Sequence, residues 1–168
     1  MTSISEPQFL VDAESDPVAI RVEGKASFKN CTCVKEFLDA MIAQGKTRIV
    51  MDFEACTGMD STFLGVLAGT AIALRKMQPR GTLVVARLNE RNLELVQNLG
   101  LTRLLTVDDG AECKTREDVS LEAKPMTNEI AAARVVLTAH ENLVEADAGN
   151  EAKFKDVLTY LQQQVSQQ

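Results

Sequence analysis

Short strand-like segments alternate with helical segments from residue 8 to residue 107, and this alternation constrains the fold more than any other feature of the chain. The order is β-β-α-β-α-β-α-β. Strands that alternate with helices favour a sheet with parallel pairs and right-handed helical crossovers. Ile49, Val50 and Met51 stand in a row, which is typical of a central strand covered on both faces. The sequence therefore predicts an α/β fold, with a single-layer mixed sheet of about five strands.

The strands are predicted within five segments, namely "PQFLVDAE", "VAIRVEGKASF", "TRIVMDFEAC", "TLVVARL" and "RLLTV". The helices are predicted within "NCTCVKEFLDAMIAQG", from Ser61 to about Met77, and within "NERNLELVQNLGL". Asn30 and Asn89 are placed as N-caps, because an Asn side chain accepts hydrogen bonds from the free N–H groups of a first helical turn.

Composition changes after Val107. Residues 1–107 hold 12 acidic and 12 basic residues, whereas residues 108–168 hold 12 acidic and 6 basic ones, so the whole net charge of −6 lies in the tail. We interpret residues 1–107 as an α/β domain, 108–126 as a linker and 127–168 as an acidic helical extension with two helices split by "DAGN". The break predicts an extension that is separable from the domain. Separately, we expect His140 to lie on the surface of the helical extension and not in a site.

Several classes of function are disfavoured by the sequence. No basic stripe suits nucleic acid, no segment has the length and apolarity of a membrane span, and the N-terminus lacks the features of a signal peptide. Cys31 and Cys33 lie in a helical pattern without zinc-ligand spacing, so reduced packing thiols are expected. We expect a cytoplasmic protein with no metal and no cofactor. Asp52, Glu54 and Asp60 lie on and after the end of one strand and have the chemistry to hold Mg²⁺, but acids in loops are mostly just solvated.

Asp60, Ser61 and Thr62 directly precede the most apolar segment of the chain. One interpretation is helix capping by Asp60 or Ser61. The other is that a hydroxyl at an exposed helix N-terminus is phosphorylated, since backbone N–H groups and the helix dipole favour an anion there. Gly65 and Gly69 lower helix propensity by about 1 kcal/mol each, which is tolerable where the helix backbone lies close to the sheet or to a neighbour.

The segments "IVMDFEACTGMDSTFLGVLAG" and "GTLVVARLNERNLELVQNLGLTRLLTV" resemble the STAS domain family, which contains the bacterial anti-sigma-factor antagonists. The resemblance covers about residues 8–107 and implies phosphorylation at Ser61, with Thr62 as second choice. It implies two partners, namely an anti-sigma factor that is also an ATPase-type serine kinase and a PP2C-type phosphatase. A homo-oligomer is a further expectation, which does not come from the resemblance. The implied partner-binding residues are Asp60, Ser61, Thr62 and Phe63. Phe63 departs from the family pattern, which has Gly there, and is interpreted as a partner contact or a core residue.

Two alternatives stand beside the phosphorylation switch. An enzyme is disfavoured because the single histidine, His140, lies outside the α/β body and no nucleophile elbow or phosphate-binding loop is present. A scaffold or oligomerisation module of the same fold, with Ser61 only a helix cap, is the second.

Overall fold

The computed structural model describes residues 7–108, 119–122 and 128–166. Its strands are β1 (Gln8–Asp12), β2 (Val18–Ala26), β3 (Arg48–Asp52), β4 (Cys56–Met59), β5 (Thr82–Ala86), β6 (Thr106–Asp108) and β7 (Val119–Ser120). Its α-helices are α1 (Cys31–Ala43), α2 (Ser61–Arg75), α3 (Glu90–Asn98), α4 (Glu129–Ala146) and α5 (Asn150–Ser166), and a 3₁₀ turn spans Leu101–Arg103.

The strands form one mixed sheet in the order β6-β5-β3-β2-β1-β7, and β4 pairs with β2 beyond the end of the β2–β3 ladder. β2, β3, β5 and β6 run parallel, whereas β1 is antiparallel to both of its neighbours. The predicted fold class is confirmed. The predicted number of strands is too low, because β4 and β7 have four and two residues and are too short to carry an alternating pattern.

The core lies between the central strands and the helices. Ile49, Val50 and Met51 of β3 are all buried, as their apolar run predicts. Helix α2 is buried over most of its surface and contacts α1, α4 and β5. Since nearly every face of α2 is covered, its N-terminus is fixed firmly in the molecule.

Helix α4 lies against α2, and α5 packs against α4. We call α4 and α5 together the C-terminal hairpin. Asn128 caps α4 by accepting hydrogen bonds from the N–H groups of Ile130 and Ala131, and the chain turns between the helices at residues 147–149, where "DAGN" predicts the break.

The predicted linker is described only in part. Residues 109–118 and 123–127, with Cys113, lie outside the described residues. Asp108 ends β6, and Val119–Ser120 forms β7 at the sheet edge, so these residues of the predicted linker belong to strands. That the extension is separable from the domain stays a prediction. Within the described parts of the chain, no helix combines the length and apolarity that a bilayer crossing requires.

Candidate functional site: the N-terminus of helix α2

Asp60 holds the start of α2 in place. It follows β4 directly, its own N–H bonds the carbonyl of Ala26 at the end of β2, and its backbone is extended, as an N-cap requires. One carboxylate oxygen accepts the N–H of Phe63 at 2.9 Å, and the other accepts the N–H of Phe28 at 2.8 Å. Asp60 therefore caps the helix and ties its first turn to the segment after β2, which confirms the capping interpretation for Asp60.

Ser61 is the first residue of α2 and is half-buried. Its Oγ lies 2.9 Å from Nε2 of His140 on α4, a residue 79 positions away in the sequence. The prediction that His140 lies on the surface of the extension is wrong, since its exposure is 3%. The reason is that α4 docks with this face turned towards α2.

The hydrogen bonds of His140 determine which ring nitrogen carries the proton. Nδ1 lies 2.7 Å from the carbonyl oxygen of Val136 one turn earlier. Because a carbonyl only accepts, Nδ1 carries a proton, and in the neutral ring Nε2 then offers its lone pair, an assignment made from the network. The Ser61 hydroxyl therefore donates its proton to His140. The ring of Phe154 on α5 meets the imidazole edge-on at a centroid distance of 5.0 Å and closes this side of the contact.

Thr62 and Phe63 point into the protein. Thr62 is 4% exposed and Phe63 is fully buried. The Phe63 ring stacks on Phe9 at 6.0 Å and meets Phe53 edge-on at 6.4 Å. The structure supports the interpretation of Phe63 as a core residue and not as a partner contact. Its side chain fills space between strand β1 and the loop after β3. In this conformation, the part of the predicted partner-binding set that reaches solvent is Asp60 and Ser61.

An open cleft of about 460 Å³ begins at Ser61 and runs between α2, α3 and α5. Its walls are mostly apolar, with an amide and a lysine at the rim, and the lining residues are Ser61, Leu64, Leu95, Asn98, Leu99, Lys153 and Phe154. Lys153 already donates to the backbone carbonyl of Asn98, so this rim joins α5 to α3. Solvent reaches the Ser61 region through this cleft.

The acids that follow β3 are engaged with other groups. Arg87, at the end of β5, pairs with both Asp52 and Glu54, and Asp60 is used in capping. Within the described ranges, no group of three or more histidine, cysteine or acidic side chains is arranged to hold a metal ion.

The described cysteines are free thiols. Burial, followed by the negative charge of Asp60, raises the pKa of the Cys31 thiol to about 11. Burial also raises the pKa of Cys33 and of Cys56. These thiols therefore stay protonated at neutral pH and act as packing groups, which is unfavourable for nucleophilic or metal-binding thiolates.

Comparison with known proteins identifies the family. The family model described as "Mlab, STAS domain" (STAS_2) matches residues 9–106, more than half of the chain. The chain belongs to the STAS_2 family. No curated protein matches it significantly.

Solved structures similar to this STAS chain include anti-sigma factor antagonists. One from Mycobacterium paratuberculosis is 17% identical over 67% of this chain and 93% of its own, with a TM-score of 0.56. The Bacillus cell fate determinant SpoIIAA in its phosphorylated form is 23% identical over 62% of this chain and 93% of its own, with a TM-score of 0.51. SpoIIAA in its unphosphorylated form is 20% identical over 62% and 90%, with a TM-score of 0.50. At such identities the likeness shows the STAS fold.

His140 is the site residue that sequence reasoning placed wrongly. The surrounding sequence indicates in part that His140 is buried, because Val136, Ala139, His140 and Leu143 fall on one helical face. Nothing in that spacing says which surface the face covers. The glycines of α2 give the complementary signal, since they indicate a helix backbone that lies close either to the sheet or to a neighbour, without deciding between the two.

Proposed function

We propose that this STAS chain is a non-catalytic regulatory protein-binding module of a partner-switching pathway, similar to the anti-sigma-factor antagonists and controlled by phosphorylation of Ser61. The observation that carries the proposal is the position of Ser61. It is the first residue of α2, capped by Asp60 and reached from solvent through a cleft, in a fold shared with an antagonist known in phosphorylated and unphosphorylated forms. We place this switch in the cytoplasm, and it requires no cofactor, no nucleic acid and no membrane.

The expected partners follow from the same scheme. An anti-sigma factor that is also an ATPase-type serine kinase binds the unmodified surface and phosphorylates Ser61, and a PP2C-type phosphatase removes the phosphate. Asp60 and Ser61 meet the partner directly, while Thr62 and Phe63 support this turn from inside the domain. Thr62 remains the second choice as phosphate acceptor, and its burial makes it the poorer one.

The charge of the phosphate explains why the unmodified chain binds the partner and the phosphorylated chain does not. A phosphate adds about −1.5 to −2 charges at neutral pH. At the N-terminus of α2 the domain tolerates this charge, because backbone N–H groups and the helix dipole favour an anion. In a closed interface the same charge is desolvated next to Asp60, which is of like sign. A loss of about 3 kcal/mol there weakens binding about a hundredfold.

The deciding experiment is phosphosite mapping of the chain purified from its native cell, with Ser61→Ala and Thr62→Ala in parallel. We expect one phosphate on the unmutated chain, none on Ser61→Ala and an undiminished amount on Thr62→Ala. Phosphate that persists in Ser61→Ala would move the switch elsewhere, and a chain never phosphorylated under any growth condition would defeat the proposal.

One observation favours a second candidate, a STAS scaffold or oligomerisation module. The Ser61 hydroxyl already has a structural role, since it donates to His140. If the chain is such a module, Ser61→Ala should loosen the contact of α4 with α2, and no phosphate should be found on the unmutated chain in the native cell.

A further inference from the structure

We propose that the C-terminal hairpin is a built-in cover of the Ser61 surface, and that another protein reaches the Ser61 hydroxyl only after the hairpin has moved off α2. This inference rests on the proposed function for its consequence, since it concerns access to the proposed phosphorylation site. Three sets of contacts hold the hairpin against α2 and α3.

The first contact is a close helix crossing made possible by glycine. A Cβ atom placed on Gly65 of α2 would overlap the carbonyl group of Ala139 on α4 and lie 2.7 Å from its Cα. One turn further, a Cβ on Gly69 would collide with the side-chain amide of Asn142. That amide donates to the Gly65 carbonyl at 3.3 Å. The two glycines, unfavourable within a helix, form a groove that α4 fills.

The second contact is the bond between Ser61 and His140. It uses the proton of the hydroxyl and places the imidazole against the oxygen that a phosphoryl group would join. His140 in turn is enclosed by Phe154 and oriented by the Val136 carbonyl. While α4 is docked, the side of Ser61 that faces His140 is closed to any other protein.

The third contact anchors the turn of the hairpin. The side-chain amide of Asn150, at the start of α5, donates to Leu99 after α3 at 2.9 Å and to Leu143 of α4 at 2.8 Å. Asn150 is 1% exposed, so these bonds are made away from water, where an unpaired amide is costly. The anchor fixes α4 and α5 relative to α3 and therefore to the cleft beside Ser61.

The attachment is suited to release. The buried residues of the hairpin are Ala139, His140, Leu143, Asn150 and Leu161, of which only Leu143 and Leu161 have large apolar side chains. Val135, Ala146 and Phe154 of the hairpin also pack against the core, but they are only partly buried. Elements with few buried apolar contacts are those that open before the rest of a protein.

The single histidine of the chain supplies the test. Diethyl pyrocarbonate reacts with a free imidazole nitrogen, and Nε2 of His140 is free only when its bond to Ser61 is broken. We compare full-length Ala139→Leu, which puts a bulky side chain at the closest crossing, with full-length Ala152→Leu, the same change at an exposed position of α5. The rate at which His140 reacts should rise about tenfold or more in Ala139→Leu and stay unchanged in Ala152→Leu.

Hydrogen exchange on the unmutated chain keeps the proposal testable if Ala139→Leu folds poorly. In low denaturant, the amides of α4 should exchange at a lower opening free energy than those of β3 and β5. Exchange of α4 only together with the sheet would make the hairpin part of the core and overturn the proposal. His140 as reactive as free histidine in the unmutated chain, or as protected in Ala139→Leu as in the unmutated chain, would also overturn it.

The outcome is independent of the proposed function. Absence of phosphate on Ser61 in the native cell would defeat the phosphorylation switch and leave the opening measurements standing. Concerted unfolding of hairpin and sheet would defeat the cover and leave phosphorylation of Ser61 intact.

Discussion

The α/β body and the C-terminal hairpin are held together by different kinds of residue. In the body, the largest buried side chains are aromatic or aliphatic, as with Phe9, Phe53 and Phe63. Of the buried apolar residues in the described chain, Ala139, Leu143 and Leu161 belong to the hairpin, which also docks through partly buried apolar side chains, a close helix crossing and polar contacts. The body is therefore held by its own apolar core, whereas the hairpin depends on matching one surface of α2.

Replacing a fully buried aromatic residue tests whether the body is held by its own apolar core. Phe63→Ala removes a fully buried ring that contacts two others, and should lower the free energy of unfolding by about 3–5 kcal/mol in urea denaturation. The matched control is Phe28→Ala, since Phe28 is 55% exposed and should change stability by less than about 0.5 kcal/mol. Equal effects of the two variants would place Phe63 outside the core.

Leu143→Ala tests the hairpin. The residue is fully buried, and its loss should cost about 2–4 kcal/mol. If the hairpin is a separate unit, the cost appears as faster hydrogen exchange in α4 and α5 with β3 and β5 unchanged. Val157→Ala, at a position 41% exposed, is the control and should leave both regions as they are. A uniform loss of protection over the whole chain would erase the distinction between the two regions.

Asp60 joins the start of α2 to the segment after β2, and its removal should have a smaller effect. Asp60→Ala removes the acceptor for the N–H groups of Phe63 and Phe28 and should lower stability by about 1–2 kcal/mol in thermal or urea unfolding. Asp60→Asn keeps the oxygen that accepts the N–H of Phe63 but turns its amide NH2 towards the N–H of Phe28, so it should recover only part of that loss. An equal loss in both variants would mean that the cap to Phe63 does not carry the contribution.

The buried Cys31 thiol should make the stability of the body depend on pH only above neutral pH. The folded state raises the pKa of Cys31 from 9.0 to about 11, so it favours the protonated thiol. The resulting stability is fully present below pH 9 and is lost as the pH rises towards 11, because only the unfolded chain then ionises this thiol freely. The contribution of Cys31 to the unfolding free energy, measured from pH 7 to pH 11, should therefore stay constant up to about pH 9 and then fall.

Replacing Cys31 checks the source of that fall. In Cys31→Ala the decline between pH 9 and pH 11 should be shallower than in the unmutated chain. An identical decline would assign it to other groups.

Local patterns in the sequence are enough to predict the α/β alternation, the central strand, the start of α2 and its capped first turn. These patterns are an apolar run, a helical period and an Asp before a helix. The short strands β4 and β7 exist only through pairing with β2 and β1, so no local pattern reveals them. The glycines of α2 indicate a helix backbone close to the sheet or to a neighbour, and what fills their groove depends on residues more than seventy positions away. Two features follow only from the tertiary structure, namely that Phe63 turns inward and that His140 meets Ser61. Both depend on how α4 and the sheet pack around α2, and this packing joins surfaces that are distant in the sequence.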